Sequence, residues 1–195
     1  PAPLPGSSTD VSDVRLAADA SGHAIAVWYK WLDGPGHGEI EAARFGGGTW
    51  TSSTELSDPS GTSPDVSQPE LVVAPDGTAW ATWWQTADGW TTQALYATRY
   101  DGSGWSAAPR PRCACPLADG RWSIPEEVPR TTGASGPELA LSTTGAFTVA
   151  FANGDALYAD QHRADGWHEL GGQISGLGAT IGPWFDVAAG TGDTA

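Results

Sequence analysis

Three tryptophans sit where recognition chemistry would use them. Trp31, Trp84 and Trp90 follow the apolar centre of a β-prone segment and fall in Lys30-Trp-Leu-Asp-Gly-Pro-Gly-His37 and Trp84-Gln-Thr-Ala-Asp-Gly-Trp90, which read as loops. An indole on a loop must be covered by a neighbouring loop or by a ligand stacked on its face. Both readings stand at this level, and the three residues are the first ligand-binding candidates.

The remaining reactive side chains assemble no recognisable centre. Cys113 and Cys115 form a C-x-C pair in Arg-Cys-Ala-Cys-Pro, two ligands short of a zinc site. They are a disulfide candidate, either local or to another chain, if the compartment is oxidising, and otherwise two small loop residues. His23, His37, His162 and His168 do not cluster, and Gly-Trp-His168-Glu-Leu is not H-E-x-x-H. No nucleophile elbow, Walker loop or dinucleotide fingerprint occurs, so no catalytic residue, metal ligand or cofactor is assigned. Calcium is compatible with the acidity, but no D-x-[DN]-x-[DN]-G loop specifies it.

Charge narrows the partners. Nine Lys and Arg stand against 23 Asp and Glu, for a net charge of −14. Such a chain cannot release counterions from a phosphate backbone, which argues against nucleic acid as a partner. No stretch approaches the roughly 18 apolar residues of a membrane span. The opening Pro-Ala-Pro-Leu-Pro-Gly-Ser-Ser fits the residue left after removal of a signal peptide, and a secreted location is expected.

The 26 Gly, 15 Pro and 11 Trp favour many short strands joined by tight turns. Their arrangement is periodic. Leu16, Leu71 and Leu139 each precede a Gly by six residues (Gly22, Gly77, Gly145), and each Gly precedes an aromatic by six (Trp28, Trp83, Phe151). The centres Asp-Ala-Ser-Gly, Pro-Asp-Gly and Thr-Thr-Gly are turn sequences between alternating β-prone halves, so each copy predicts a β-hairpin. Third strands follow in Glu39–Phe45, Ala94–Tyr100 and Ala156–His162, and Trp50, Trp105 and Trp167 open a fourth. Trp28 to Trp50 and Trp83 to Trp105 are both 22 residues, whereas Phe151 to Trp167 is 16.

Four antiparallel strands in a unit of about 40 to 50 residues predict an all-β fold of β-propeller blades, with about three complete units and the start of a fourth. Residues 1–12 read as the end of a preceding blade, 13–63 as unit 1, 64–136 as unit 2 with a cysteine-bearing insertion at 106–121, 137–182 as unit 3, and 183–195 as the start of a further unit. Three and a fraction blades do not close a ring, so the rest is expected from the same longer chain or from another chain.

The G-x-A-x-x-x-W hairpins and Ala94-Leu-Tyr-Ala-Thr-Arg-Tyr-Asp-Gly-Ser-Gly-Trp105 resemble bacterial secreted β-propellers of the sialidase-like and lectin-like kinds. The lectin resemblance implies an arginine, an acid and an aromatic per blade, here Arg44 with Glu41 and Trp50, and Arg99 with Tyr100 and Trp105. Gln161 and His162 break that pattern in the third unit. The sialidase resemblance implies an arginine triad, to which Arg15, Arg44, Arg99 and Arg163 are the available contributors. The Asp boxes of that family are not complete, since Asp76-Gly-Thr-Ala-Trp80 and Asp101-Gly-Ser-Gly-Trp105 are each one residue short.

The function expected is a secreted recognition module that binds a glycan or a protein through loop aromatics. Part of a sialidase-like glycoside hydrolase is one alternative. A structural module of a larger extracellular complex is another.

Overall fold

The computed structural model describes residues 4, 10–32, 38–57, 65–88, 92–101, 126–174 and 187–188. Within them the protein is all-β and antiparallel, with no helix. The first sheet joins β1 (Val11–Ala18), β2 (Ala24–Trp31), β3 (Gly38–Gly46) and β4 (Thr49–Trp50) in that order, with β5 (Thr54–Glu55) also paired to β3. The second joins β6 (Val66–Val73), β7 (Ala79–Asp88), β8 (Thr92–Tyr100) and β9 (Glu126–Glu127), and the third joins β10 (Ser135–Leu141), β11 (Phe147–Asn153), β12 (Ala156–Arg163) and β13 (Gly166–Gln173). Among the described residues the sheets do not close into a ring. Strand β1 contacts β6, and β6 contacts β10.

The periodic glycines make the first hairpin of each sheet. Gly22, Gly77 and Gly145 have φ of +80°, +87° and +87°, a conformation in which an L side chain is strained. Local side chains hold these turns. Asp19 accepts from the Ser21 and His23 amides at 2.8 and 2.9 Å, Asp76 from the Thr78 amide at 2.9 Å, and Ser142 Oγ from the Ala146 amide at 2.9 Å.

Two apolar layers stack the sheets front to back. Ile25, Val27, Tyr29 and Ile40 of the first sheet meet Ala81, Trp83 and Tyr100 of the second. On the other side of the second sheet, Trp80, Trp84 and Leu95 meet Phe147, Val149 and Phe151 of the third. Each fully buried aliphatic such as Ile40 or Val149 contributes about 1.5 to 3 kcal/mol. The repeat-related aromatics Trp28, Trp83 and Phe151 are all at most 1 % exposed.

Two features depart from the expected four-strand unit. The strand opening at Trp50 is broken, since β4 and β5 pair separately with β3 and residues 51–53 lie between them. Each first strand also carries a bulge. The register shifts between Ser12 and Arg15, between Ser67 and Glu70, and between Ser135 and Glu138. Inside these shifts Asp13, Gln68 and Gly136 have φ of +50°, +51° and +59°, each three residues before the repeat leucine.

Candidate functional site

The end of β2 and the start of β3 bring together a group of chemically useful side chains. Strand alternation divides it between two faces. Tyr29 and Trp31 share the face that looks toward the second sheet, while Lys30, Glu39 and Glu41 lie on the opposite face.

On the first face Tyr29 is buried and Trp31 is 48 % exposed. Their rings meet edge to face, with centroids 4.8 Å apart and planes at 77°. Gly38, the register partner of Trp31, permits this arrangement, because a Cβ there would lie 2.1 Å from the Tyr29 ring. Burial raises the Tyr29 hydroxyl pKa, and the nearby Asp65 and Asp13 carboxylates raise it further. The Trp31 amide donates to the Asp10 carbonyl at 3.0 Å, which ties the platform to the start of β1.

On the second face three carboxylates surround one ammonium. Lys30 Nζ donates to Glu39 Oε1 at 2.6 Å and to Glu41 Oε1 at 3.0 Å, and Glu55 is the register partner of Glu41. Burial works against the Lys30 charge, but the hydrogen bonds and negative charges of Glu39 and Glu41 together outweigh it and its pKa is raised. Glu55 is pushed up to about 7, first by burial and then by the Glu39 charge. Glu41 is 7 % exposed, and its Oε2 is buried without a hydrogen-bond partner among the described residues.

The sequence candidates separate accordingly. Trp31 stands exposed, and it closes β2 rather than lying in a loop. Trp84 is a correction. It lies inside β7, 3 % exposed, because that strand continues to Asp88 and its sheet is packed on both faces, so adjacent Trp83 and Trp84 are buried on opposite sides. Tyr100 is also corrected, being 1 % exposed within the layer between the first two sheets.

Glu41 and Arg44 do not form a pair. They are three residues apart on β3 and point to opposite faces. Arg99 is exposed at the far end of β8, away from Trp31. Arg15 reaches Glu70 rather than joining other arginines. Trp50 packs against Phe45 with centroids 5.4 Å apart, and Trp167 against Phe147 at 5.9 Å. Trp90, Trp105, Cys113 and Cys115 lie outside the described residues.

Lys30, Glu39, Glu55 and Tyr29 were not singled out by the sequence. The alternation Lys30-Trp31 opposite Gly38-Glu39-Ile40-Glu41 held the signal, since two glutamates at i and i+2 on a strand share a face. No group of three or more His, Cys, Asp or Glu among the described residues is arranged to hold a metal ion. The cluster is an ammonium–carboxylate network with one carboxyl poised near neutrality. The exposed indole stands on the other face of the sheet, where it offers a stacking surface to a ligand.

No protein-family model matches the chain, and no curated protein matches it. Among solved structures it is similar to the crystal structure of polysaccharide lyase Uly1, with a TM-score of 0.54 and 12 % sequence identity. The match covers 92 % of this chain and 43 % of that one, so the chain spans less than half the length of the lyase. The likeness is one of all-β fold.

Proposed function

We propose that this chain is part of a secreted β-propeller recognition module that binds a glycan on the platform formed by Trp31. The observation that carries the reading is the 48 % exposed indole of Trp31, braced edge-on by the buried Tyr29 ring. A flat apolar surface of this kind takes the CH face of a pyranose, and the Asp13 and Asp65 carboxylates near Tyr29 are available to accept its hydroxyl protons. The fold likeness to a polysaccharide lyase supports a carbohydrate-related role.

Support for blades comes from the repetition of one contact. The first sheet's Tyr29 face packs on the second sheet's Trp83 face, and the second sheet's Trp84 face packs on the third sheet's Phe151 face. Stacking of equivalent faces in one direction is how a propeller is assembled. Leu16 is 65 % exposed, whereas its repeat equivalents Leu71 and Leu139 pack into the two layers, so the first sheet presents a face suited to a further sheet of the same kind. An extracellular setting belongs to the same proposal and rests on the acidic composition.

The test is a glycan array followed by calorimetry with the best ligand, on the wild-type chain and on Trp31→Ala. Stacking predicts a loss of about five- to tenfold in affinity, equivalent to about 1 to 1.4 kcal/mol. An array without a hit, or an unchanged affinity in the variant, rejects the reading.

A second reading, part of a glycoside hydrolase, is favoured by one observation. Glu55, held near neutrality, sits beside Glu39 and Glu41, and a glycosidase needs carboxyls whose environments separate their protonation states. Hydrolysis of a fluorogenic glycoside panel, abolished in Glu55→Gln, would establish it. Inactivity across the panel would remove it.

A further inference from the structure

A cleft of about 460 Å³ opens between the second and third sheets, at the end of the strands that carries the Gly77 and Gly145 turns. It lies away from Trp31, which closes the opposite end of β2. Its walls come from both sheets. Trp80 and Arg99 are register partners in the second, and His162 belongs to the third, where it pairs in register with Phe147. Arg163 closes β12, and Asp165 enters from the turn between β12 and β13.

The walls are built and held. Trp80 stacks on Phe147 with centroids 4.5 Å apart and planes at 7°, and the His162 ring lies 4.7 Å from Trp80 and 5.2 Å from Trp167. His162 Nε2 stands 3.1 Å from Glu126 Oε1. Arg163 Nε donates to Gln161 Oε1 at 2.6 Å, which orients its guanidinium, and Asp165 Oδ1 is 2.7 Å from His168 Nε2. At the equivalent place between the first two sheets, Ile25 and Arg44 face Ala79 and Tyr100, and the buried Tyr100 ring fills that space.

Two of only nine basic side chains, Arg99 and Arg163, line this cleft beside one carboxylate, Asp165, in a protein that carries 23 acids. Guanidinium groups present planar forks of donors that match a carboxylate, and the volume falls in the range of small-ligand sites. We propose that this cleft is a second binding site, separate from Trp31, that takes an acidic sugar by its carboxylate. Arg99 and Arg163 bind the anion, and the His162 edge and the backbone of the 144–146 turn meet the sugar hydroxyls.

Calorimetry of the wild-type chain in low salt with D-galacturonate, D-galactose and sodium sulfate tests this. Galacturonate is expected to bind at least tenfold more tightly than either of the others, and the preference should shrink as salt rises. Arg99→Gln with Arg163→Gln should lower galacturonate affinity at least tenfold at an unchanged melting temperature. If the double variant fails to fold, NMR of the wild-type chain decides. Galacturonate must then shift the Trp80 indole and His162 ring signals, and the absence of those shifts overturns the proposal. Equal binding of galactose overturns the anion site, and equal binding of sulfate overturns its assignment to a sugar.

Discussion

Arg15 and Glu70 stand at the same place in consecutive repeats, 55 residues apart, and bind each other. Arg15 Nε and Nη2 donate to Glu70 Oε2 and Oε1 at 2.9 and 2.8 Å, joining β1 to β6 through a two-pronged ion pair. The exchange of arginine for glutamate converts an identity of position into a bond between neighbouring sheets.

A double-mutant cycle on Arg15→Ala and Glu70→Ala should give a modest coupling. The side chains are 40 % and 33 % exposed, so solvent screens the pair and about 0.5 to 1 kcal/mol is expected despite the good geometry. Urea unfolding at low and high salt measures it. A coupling below about 0.2 kcal/mol, or one indifferent to salt, would reduce the pair to a coincidence of register.

Gly38→Ala should disturb the Trp31 platform. The added methyl would meet the Tyr29 ring at 2.1 Å, and the ring is held in the core with Val27 and Ile40. Overpacking of this kind costs about 1 to 3 kcal/mol. The loss should shrink in a Tyr29→Leu background, where the ring is gone, and near-ultraviolet circular dichroism should change with it. Full additivity of the two substitutions would show that the close approach is not what keeps glycine at this position.

Glu55 should give stability an unusual dependence on pH. Its folded pKa, raised to about 7, lies above the ordinary value of 4.5, so between those two the folded protein holds a proton that the unfolded chain releases. Its contribution is fully present below about 4.5 and is lost as pH rises through about 7, the reverse of a salt-bridged carboxylate. The shift sets a ceiling of about 3 kcal/mol. Glu55→Gln should remove this slope, leaving the variant more stable than wild type at pH 8 and equal to it near pH 4. Parallel stability curves for the two proteins would contradict it.

How far the sequence reads depends on whether a feature is local. The spacing from Leu16, Leu71 and Leu139 to a glycine and then to an aromatic located three hairpins, because positive φ at Gly22, Gly77 and Gly145 is written in the residue itself. Trp84 was misread, since its burial follows from a third sheet packing on the far side of the second. The Lys30–Glu39–Glu41–Glu55 group was missed because Glu55 reaches it through a strand break at residues 51–53 that no turn signal announced. The cleft of Trp80 and His162 required two sheets to be placed side by side, and a single strand carries no trace of it.

The bulges offer the sharpest test of what the repeat shares beneath its sequence. Asp13, Gln68 and Gly136 have no side-chain chemistry in common, yet all occupy the left-handed region at the same place in β1, β6 and β10. What recurs is therefore a backbone shape, and glycine already fills it once. Gln68 is exposed, so its side chain loses little on removal. Left-handed geometry costs an L-residue about 1 to 2 kcal/mol, partly offset by the greater freedom glycine has when unfolded. Gln68→Gly should therefore be stabilised by up to about 1 kcal/mol. Gln68→Val, whose branched side chain resists that conformation, should lose at least about 1 kcal/mol. Urea midpoints for the two variants, taken at equal slope, make the comparison. If valine matches glycine, the bulge is not a fixed element of the repeat.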